Sequence, residues 1–273
     1  RRPAPRRART ISRPRPVAPP VALRPRLVPA GAAALATLLG GSLLPFWPAP
    51  LLVLLALAAG LASLRAPRLG LAVALAAPVF PLGNVAQAAA VVYGVLALAW
   101  LAVTWRDTRA ALAFVAGPLL APFGLIALLP LAVQPARGTW RRALHAAVGV
   151  YSAAAVAGLS GRSLPLGGDR VGDLGVVQSE HPGAVLAALG DVLRANPQIS
   201  TTALAFAIVA ALLPQARARG RVWIAALGVL QLALVLLWAP SVPWPPMLLG
   251  TLLLCLLVAA GPVLRGFVRS RGR

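Results

Sequence analysis

Long apolar runs, most of them close to the length of a bilayer crossing, follow one another through this chain, with short clusters of arginine between them. A membrane-spanning helix needs about 20 apolar residues, with a range of about 17–25. Runs near 27–45, 47–64, 68–83, 85–105, 143–159, 199–214, 222–239 and 246–264 meet or approach that length. Those at 68–83 and 199–214 hold only 16 residues, so a thinned bilayer or surrounding protein must accommodate them. Of the 273 residues, 59% are apolar and 11% are charged. Soluble domains average about 45–50% and about 25%. This excludes an ordinary soluble globule, and a chain so apolar is not disordered as a whole. The expected fold is all-α: a polytopic transmembrane helix bundle of about eight spans.

All 26 basic residues are arginine, against five acidic residues, for a formal net charge of +21. Such a balance is the electrostatic footprint of nucleic-acid binding. The arginines, however, sit in clusters between apolar runs, which is the pattern of loops on the cytoplasmic face of a membrane. No nucleic acid partner is expected; the expected partners are the bilayer and, at the basic tail, anionic lipid headgroups.

Residues 1–26 contain nine arginines, and proline fills much of the remainder. Proline removes backbone donors and favours extended polyproline conformations, while arginine repels arginine. We expect a disordered cytoplasmic linker over 1–26, and a further segment of the polypeptide upstream of it. Transmembrane helices over 27–159 and 199–264 then flank a loop at 160–198, and a basic cytoplasmic tail occupies 265–273.

The stretch 110–134 differs from the other runs. It contains Gly117-Pro118, Pro122, Gly124 and Pro130. Interior prolines each lose a backbone hydrogen bond and clash with the preceding turn. The segment is either one kinked span or a re-entrant pair of half-helices, and broken backbone at membrane depth must be covered by protein or a wet cavity. If it is re-entrant, 23 of the 26 arginines fall on the cytoplasmic side; if it is a single span, 16 do. The positive-inside rule selects the re-entrant arrangement, with both termini in the cytoplasm of a bacterial-type plasma membrane. The turns PFWPAP at 45–50, PLGN at 81–84 and APSVPWPP at 239–246 then face outward, and none carries a charge. Trp47, Trp238 and Trp244 mark the outer interface, and Trp105, Trp140 and Trp223 the inner one.

The loop 160–198 holds four of the five acidic residues. Within it, Val185, Leu186, Leu189, Val192 and Leu193 share one helical face, so an amphipathic helix is expected over 182–196, lying on the outer surface. Asp169, Asp173, Glu180 and His181 are candidate outer-loop ligand contacts, since carboxylate oxygens suit hard cations; they lack the spacing of a calcium loop, and a solvated loop would have the same composition. Thr10 and Ser12, flanked by arginine, are candidate phosphorylation sites. His145 is read as a polar residue at the interface, and Asn84, Gln87, Gln134 and Gln231 as interhelical hydrogen-bonding groups. The single cysteine, Cys255, excludes a disulfide framework and a cysteine-based metal site. No metalloprotease, nucleophile-elbow, Walker or kinase signature occurs, so we expect no catalytic residue and no cofactor in this chain.

APVFPLGN at 77–84, WRDTR at 105–109, GPLLAP at 117–122 and LLPLAVQPARG at 128–138 resemble the C-terminal membrane region of actinobacterial-type serine/threonine protein kinases. In that family a cytoplasmic kinase domain precedes a basic proline-rich linker and a multi-span region. The resemblance implies a membrane anchor and sensor whose catalytic domain lies upstream of Arg1. The alternative is a free-standing permease or lipid-handling membrane protein, to which a discontinuous helix is suited.

Overall fold

The computed structural model of the chain describes residues 24–42, 48–108, 110–161, 166, 181–239 and 242–270. These residues are almost entirely helical, and no strand occurs among them. The bundle begins with α1 (Arg24–Ser42), α2 (Ala49–Arg65), α3 (Pro67–Ala76), α4 (Val79–Val85) and α5 (Gln87–Thr104). A broken stretch follows, in which the short helices α6 (Ala116–Leu120) and α7 (Leu129–Ala132) alternate with 3-10 turns. Helices α8 (Thr139–Leu159), α9 (Pro182–Ala195), α10 (Pro197–Arg219), α11 (Arg221–Trp238) and α12 (Trp244–Ser270) complete it.

Among the described residues, five helical stretches are long and apolar enough to cross a membrane: Pro67–Val85, Gln87–Thr104, Thr139–Leu159, Pro197–Arg219 and Arg221–Trp238. Leu27–Ser42, Pro50–Arg65 and Trp244–Ala260 are apolar but shorter. The outward faces are apolar as well. Helix α5 leaves Val91, Val95, Leu96 and Leu98 exposed; α2 does so with Leu54, Leu57 and Leu61, and α11 with Val229 and Leu237. A water-soluble monomer rarely carries contiguous apolar surface on this scale.

Several boundaries differ from the sequence expectation, and proline explains most of them. Helix α1 starts at Arg24, inside the expected linker. The run 68–83 is two helices, because Pro78 cannot donate a backbone bond to the turn before it. PLGN at 81–84 is helical rather than a turn: Pro81 lies in the first turn of α4, where its missing N–H is not needed. The reversal falls instead on Ala86 alone, in extended backbone (φ −157°, ψ 125°). Ala66, immediately before Pro67, makes the same kind of one-residue break between α2 and α3 (φ −149°, ψ 120°), as expected of a residue preceding proline. Helix α8 starts four residues early at Thr139, after Gly138 at φ +89°. Helix α10 runs straight through Pro214 to Arg219, so the run expected to be 16 residues is a 23-residue helix.

Helix α9 forms at the expected place. Val185, Leu189 and Val192 pack on Ala86, Ala88, Ala89 and Val92 at the start of α5, closing over that end of the bundle. Leu186 and Leu193, on the same expected stripe, face outward and remain exposed.

The broken stretch enters the core by close backbone approach to α8. A Cβ on Gly117 would fall on the carbonyl of Gly149; a Cβ on Gly149 would lie 2.8 Å from Leu129 Cδ2 and 3.1 Å from the Phe114 carbonyl. Gly94, by contrast, has nothing within 4 Å. Gly117→Ala should therefore destabilise the bundle by ~1–3 kcal/mol, whereas Gly94→Ala should be neutral or stabilising by up to ~1 kcal/mol. Thermal unfolding of both variants in detergent, followed by helical circular dichroism, measures this. Equal stabilities would contradict the crossing of α6 and α8.

Candidate functional site

The chain from Asp107 to Arg137 leaves one end of the bundle and returns to it. The Arg137 backbone N–H donates to Asp107 Oδ2 at 3.2 Å, and Arg141 Nη1 lies 3.6 Å from the same oxygen. Asp107 is the one acidic residue outside the 160–198 loop, so it closes the base of a hairpin whose rim is otherwise basic. Gly124, at φ +68°, reverses the chain beside Pro246 in the first turn of α12. The return limb then runs along α12: Ala127 lies against Gly250, and Leu128 and Leu131 pack on the cluster that contains Leu213, Leu254 and Val258.

Each irregular turn of this hairpin frees backbone groups, and side chains from the surrounding helices take them up. Trp100 Nε1 donates to the Ala111 carbonyl at 2.9 Å. The Trp100 ring also meets Phe114 edge-on at 5.2 Å and His145 at 4.8 Å between centroids. Gln231 Nε2 donates to the Ala127 carbonyl at 3.0 Å and approaches Thr251 Oγ1 at 3.3 Å. Gln134 Nε2 donates to Pro130 O at 2.7 Å and to Ala210 O at 3.0 Å. The last bond is compensation for a specific defect: Pro214 has no N–H, so the Ala210 carbonyl four residues earlier loses its helical partner. Gln134 supplies it from the hairpin.

Of the four amides expected to bridge helices, Gln134 and Gln231 therefore do, while Asn84 and Gln87 are exposed. His145 is not at the interface. It is 3% exposed, because the early start of α8 carries it a turn deeper, against Trp100, and its Nδ1 has no hydrogen-bond partner among the described residues. Gln231 Oε1 and Thr202 Oγ1 are buried without a partner among the described residues as well. Cys255, partly buried, packs against Gly228, with its Sγ 3.6 Å from the Ile224 carbonyl.

Of the expected outer-loop contacts, Asp169, Asp173 and Glu180 lie outside the described residues, as do Thr10 and Ser12. His181 is described: it is the exposed N-cap of α9, and its carbonyl accepts the Ala184 and Val185 N–H groups at 3.0 and 3.3 Å. Among the described residues, no three His, Cys, Asp or Glu side chains stand close enough to hold a metal ion. The chemistry on view is hydrogen bonding within a buried hairpin. Asp107 and Trp100 did not stand out in the sequence as its fasteners; Asp107's isolation from all other acids was the available signal.

The arginine-rich end carries a second recurring arrangement. Arg68 lies over Trp105 at 5.1 Å, Arg141 over Trp140 at 5.5 Å and Arg219 over Trp223 at 4.8 Å. These are the three tryptophans expected at the inner interface. No family model, no curated protein and no solved structure matches the chain.

The Gln134–Pro214 relation makes a double-mutant prediction. Gln134→Leu should cost about 1–3 kcal/mol, because it strips a buried carbonyl of its donor. In a Pro214→Ala background α10 regains its own N–H, and most of that cost should vanish. Equal costs of Gln134→Leu in the two backgrounds, read from detergent unfolding, would contradict the compensation.

Proposed function

We propose that this chain is a multi-pass membrane protein whose eight apolar helical runs cross the bilayer with both termini on the cytoplasmic side. The observation that carries this is the combination of apolar outward faces with arginines gathered at one end. Arg65, Arg68, Arg106, Arg137, Arg141, Arg142, Arg217, Arg219 and Arg221 stand at helix ends and turns on that side, and Arg194 on the other. Cytoplasmic loops are enriched in arginine in this way. Three of these arginines rest on tryptophans, a residue that favours the membrane–water interface. The hairpin 107–137 is re-entrant from the cytoplasmic face. Leu27–Ser42, Pro50–Arg65 and Trp244–Ala260 supply the shorter crossings.

Its role is that of an anchor and sensor region of a membrane-bound serine/threonine protein kinase whose catalytic domain lies upstream. The support is the resemblance of 77–84, 105–109, 117–122 and 128–138 to such regions, together with the arginine- and proline-rich segment at 1–26. Coupling to a kinase requires a ligand with different affinity for two states of the bundle. The hairpin, held by a few side-chain hydrogen bonds, is the element such a ligand would bias. A second reading, a permease or lipid-handling protein, is favoured by one observation: a discontinuous helix beside a buried amide, Gln231, whose oxygen has no partner among the described residues.

Sequencing the gene upstream of the codon for Arg1 separates these. The kinase role predicts an open frame encoding a glycine-rich loop, HRD and DFG. A start codon and ribosome-binding site directly before Arg1 would contradict it and leave solute or lipid transport by the reconstituted bundle as the activity to assay.

A further inference from the structure

Helices α10 and α11 are joined by Gly220 alone, at φ +111°, and their antiparallel pairing leaves a groove of about 160 Å³ on the outside of the bundle. It is lined by Leu212, Ala226, Leu227 and Leu230 and, toward the Gly220 turn, by Gln215, Arg219 and Trp223, which form its mouth. From Trp223 to Leu230 the helix rises about 10 Å, so apolar and polar linings are separated along the direction that would be the bilayer normal. The mouth lies at the arginine-bearing end. There Arg219 rests on the face of Trp223, 4.8 Å from its centroid. Stacking engages the guanidinium plane and leaves its edge donors free to meet oxygen acceptors. Arg219 is exposed, and among the described residues no carboxylate pairs with it: Asp107 is taken by Arg141 and Asp191 by Arg194.

We propose that this groove binds a phospholipid with an anionic headgroup, its acyl chain lying between Leu212 and Leu230 and its phosphate on Arg219. The inference rests on the membrane placement proposed above and adds a defined lipid site to it, separate from the basic segment at 1–26. The chemistry selects this occupant. A lined apolar slot ending in an unpaired arginine suits a molecule with one hydrocarbon end and one phosphate end, and arginine grips phosphate with two parallel hydrogen bonds. Gln215 supplies a second polar group at the mouth. Of the other stacked pairs, Arg141 already has Asp107 as its counter-ion.

The test is native mass spectrometry of the full chain in mild detergent, titrated with phosphatidylglycerol or phosphatidylcholine of the same acyl chain, alongside partitioning of the chain into vesicles of each lipid. Phosphatidylglycerol should be retained in preference to phosphatidylcholine. Arg219→Gln should weaken phosphatidylglycerol retention about fivefold, the effect of one basic residue at an anionic surface, and weaken phosphatidylcholine by less, because its choline ammonium already offsets the charge of its phosphate. Leu230→Trp, which fills the slot, should weaken both lipids, and Arg194→Gln neither. All three positions are exposed, so folding is preserved, and unfolding curves matching the unaltered chain verify it. A chain that enters vesicles but binds phosphatidylglycerol equally well with Arg219→Gln overturns the site alone. Displacement of the lipid by excess inorganic phosphate also overturns it, by making the mouth a simple phosphate site. A chain that does not partition into vesicles overturns the membrane placement and the site together.

Discussion

In an apolar surrounding every backbone N–H and C=O must find a partner within the protein, and this chain places five prolines where that is hardest to arrange. Pro78 splits one helix, Pro118, Pro122 and Pro130 break the hairpin, and Pro214 leaves a carbonyl bare inside α10. The packing follows from how these defects are met. The hairpin is enclosed by α8, α10, α11 and α12, and its irregular turns receive bonds from Trp100 and Gln231. Its own Gln134 repairs the defect in α10. Gly117 and Gly149 let the backbones approach closely enough for this to occur. Gln134 and Gln231 give their amide N–H groups to backbone carbonyls, and Trp100 gives its indole N–H to another.

Charge organises the ends as hydrogen bonding organises the middle. One carboxylate, Asp107, holds both ends of the hairpin together through the Arg137 amide and the Arg141 side chain. Around it Arg65, Arg68, Arg106 and Arg137 are exposed, and three of the arginines at this end lie on tryptophan faces. Arginine suits this place better than lysine would, since a planar guanidinium can stack on an aromatic ring and still present donors at its edge. A bundle with such a rim would be set firmly in depth and orientation. The hairpin is fastened at its base and by single side-chain bonds along its length.

Much of this was legible in the sequence. Each apolar run coincides with a helix or a helix pair, because hydrophobic length is a composition signal that tertiary packing does not alter. The amphipathic helix over α9 and the disruption at 110–134 were visible for the same reason: a heptad-like stripe in one, clustered proline and glycine in the other. The errors share a cause too. PLGN at 81–84 is expected as a turn and the run at 199–214 stops at Pro214, yet the effect of a proline depends on whether the lost bond is needed or replaced. At Pro81 the helix had just begun, and at Pro214 Gln134 stands in. Neither circumstance can be read from neighbouring residues, since Gln134 and Ala210 are 76 positions apart. His145 was misplaced because the start of α8 depends on Gly138 adopting a positive φ.

The proposed topology requires the hairpin to leave and re-enter by one face of the membrane. The most direct measurement places single cysteines at Arg106 and Thr139, one on each side of it and both exposed, in a Cys255→Ala background. Sealed vesicles of known orientation are then treated with a membrane-impermeant maleimide. Labelling of both positions from the same, cytoplasmic side is the predicted result. Labelling from opposite sides would make the segment a single crossing, reverse every helix after it, and contradict the account.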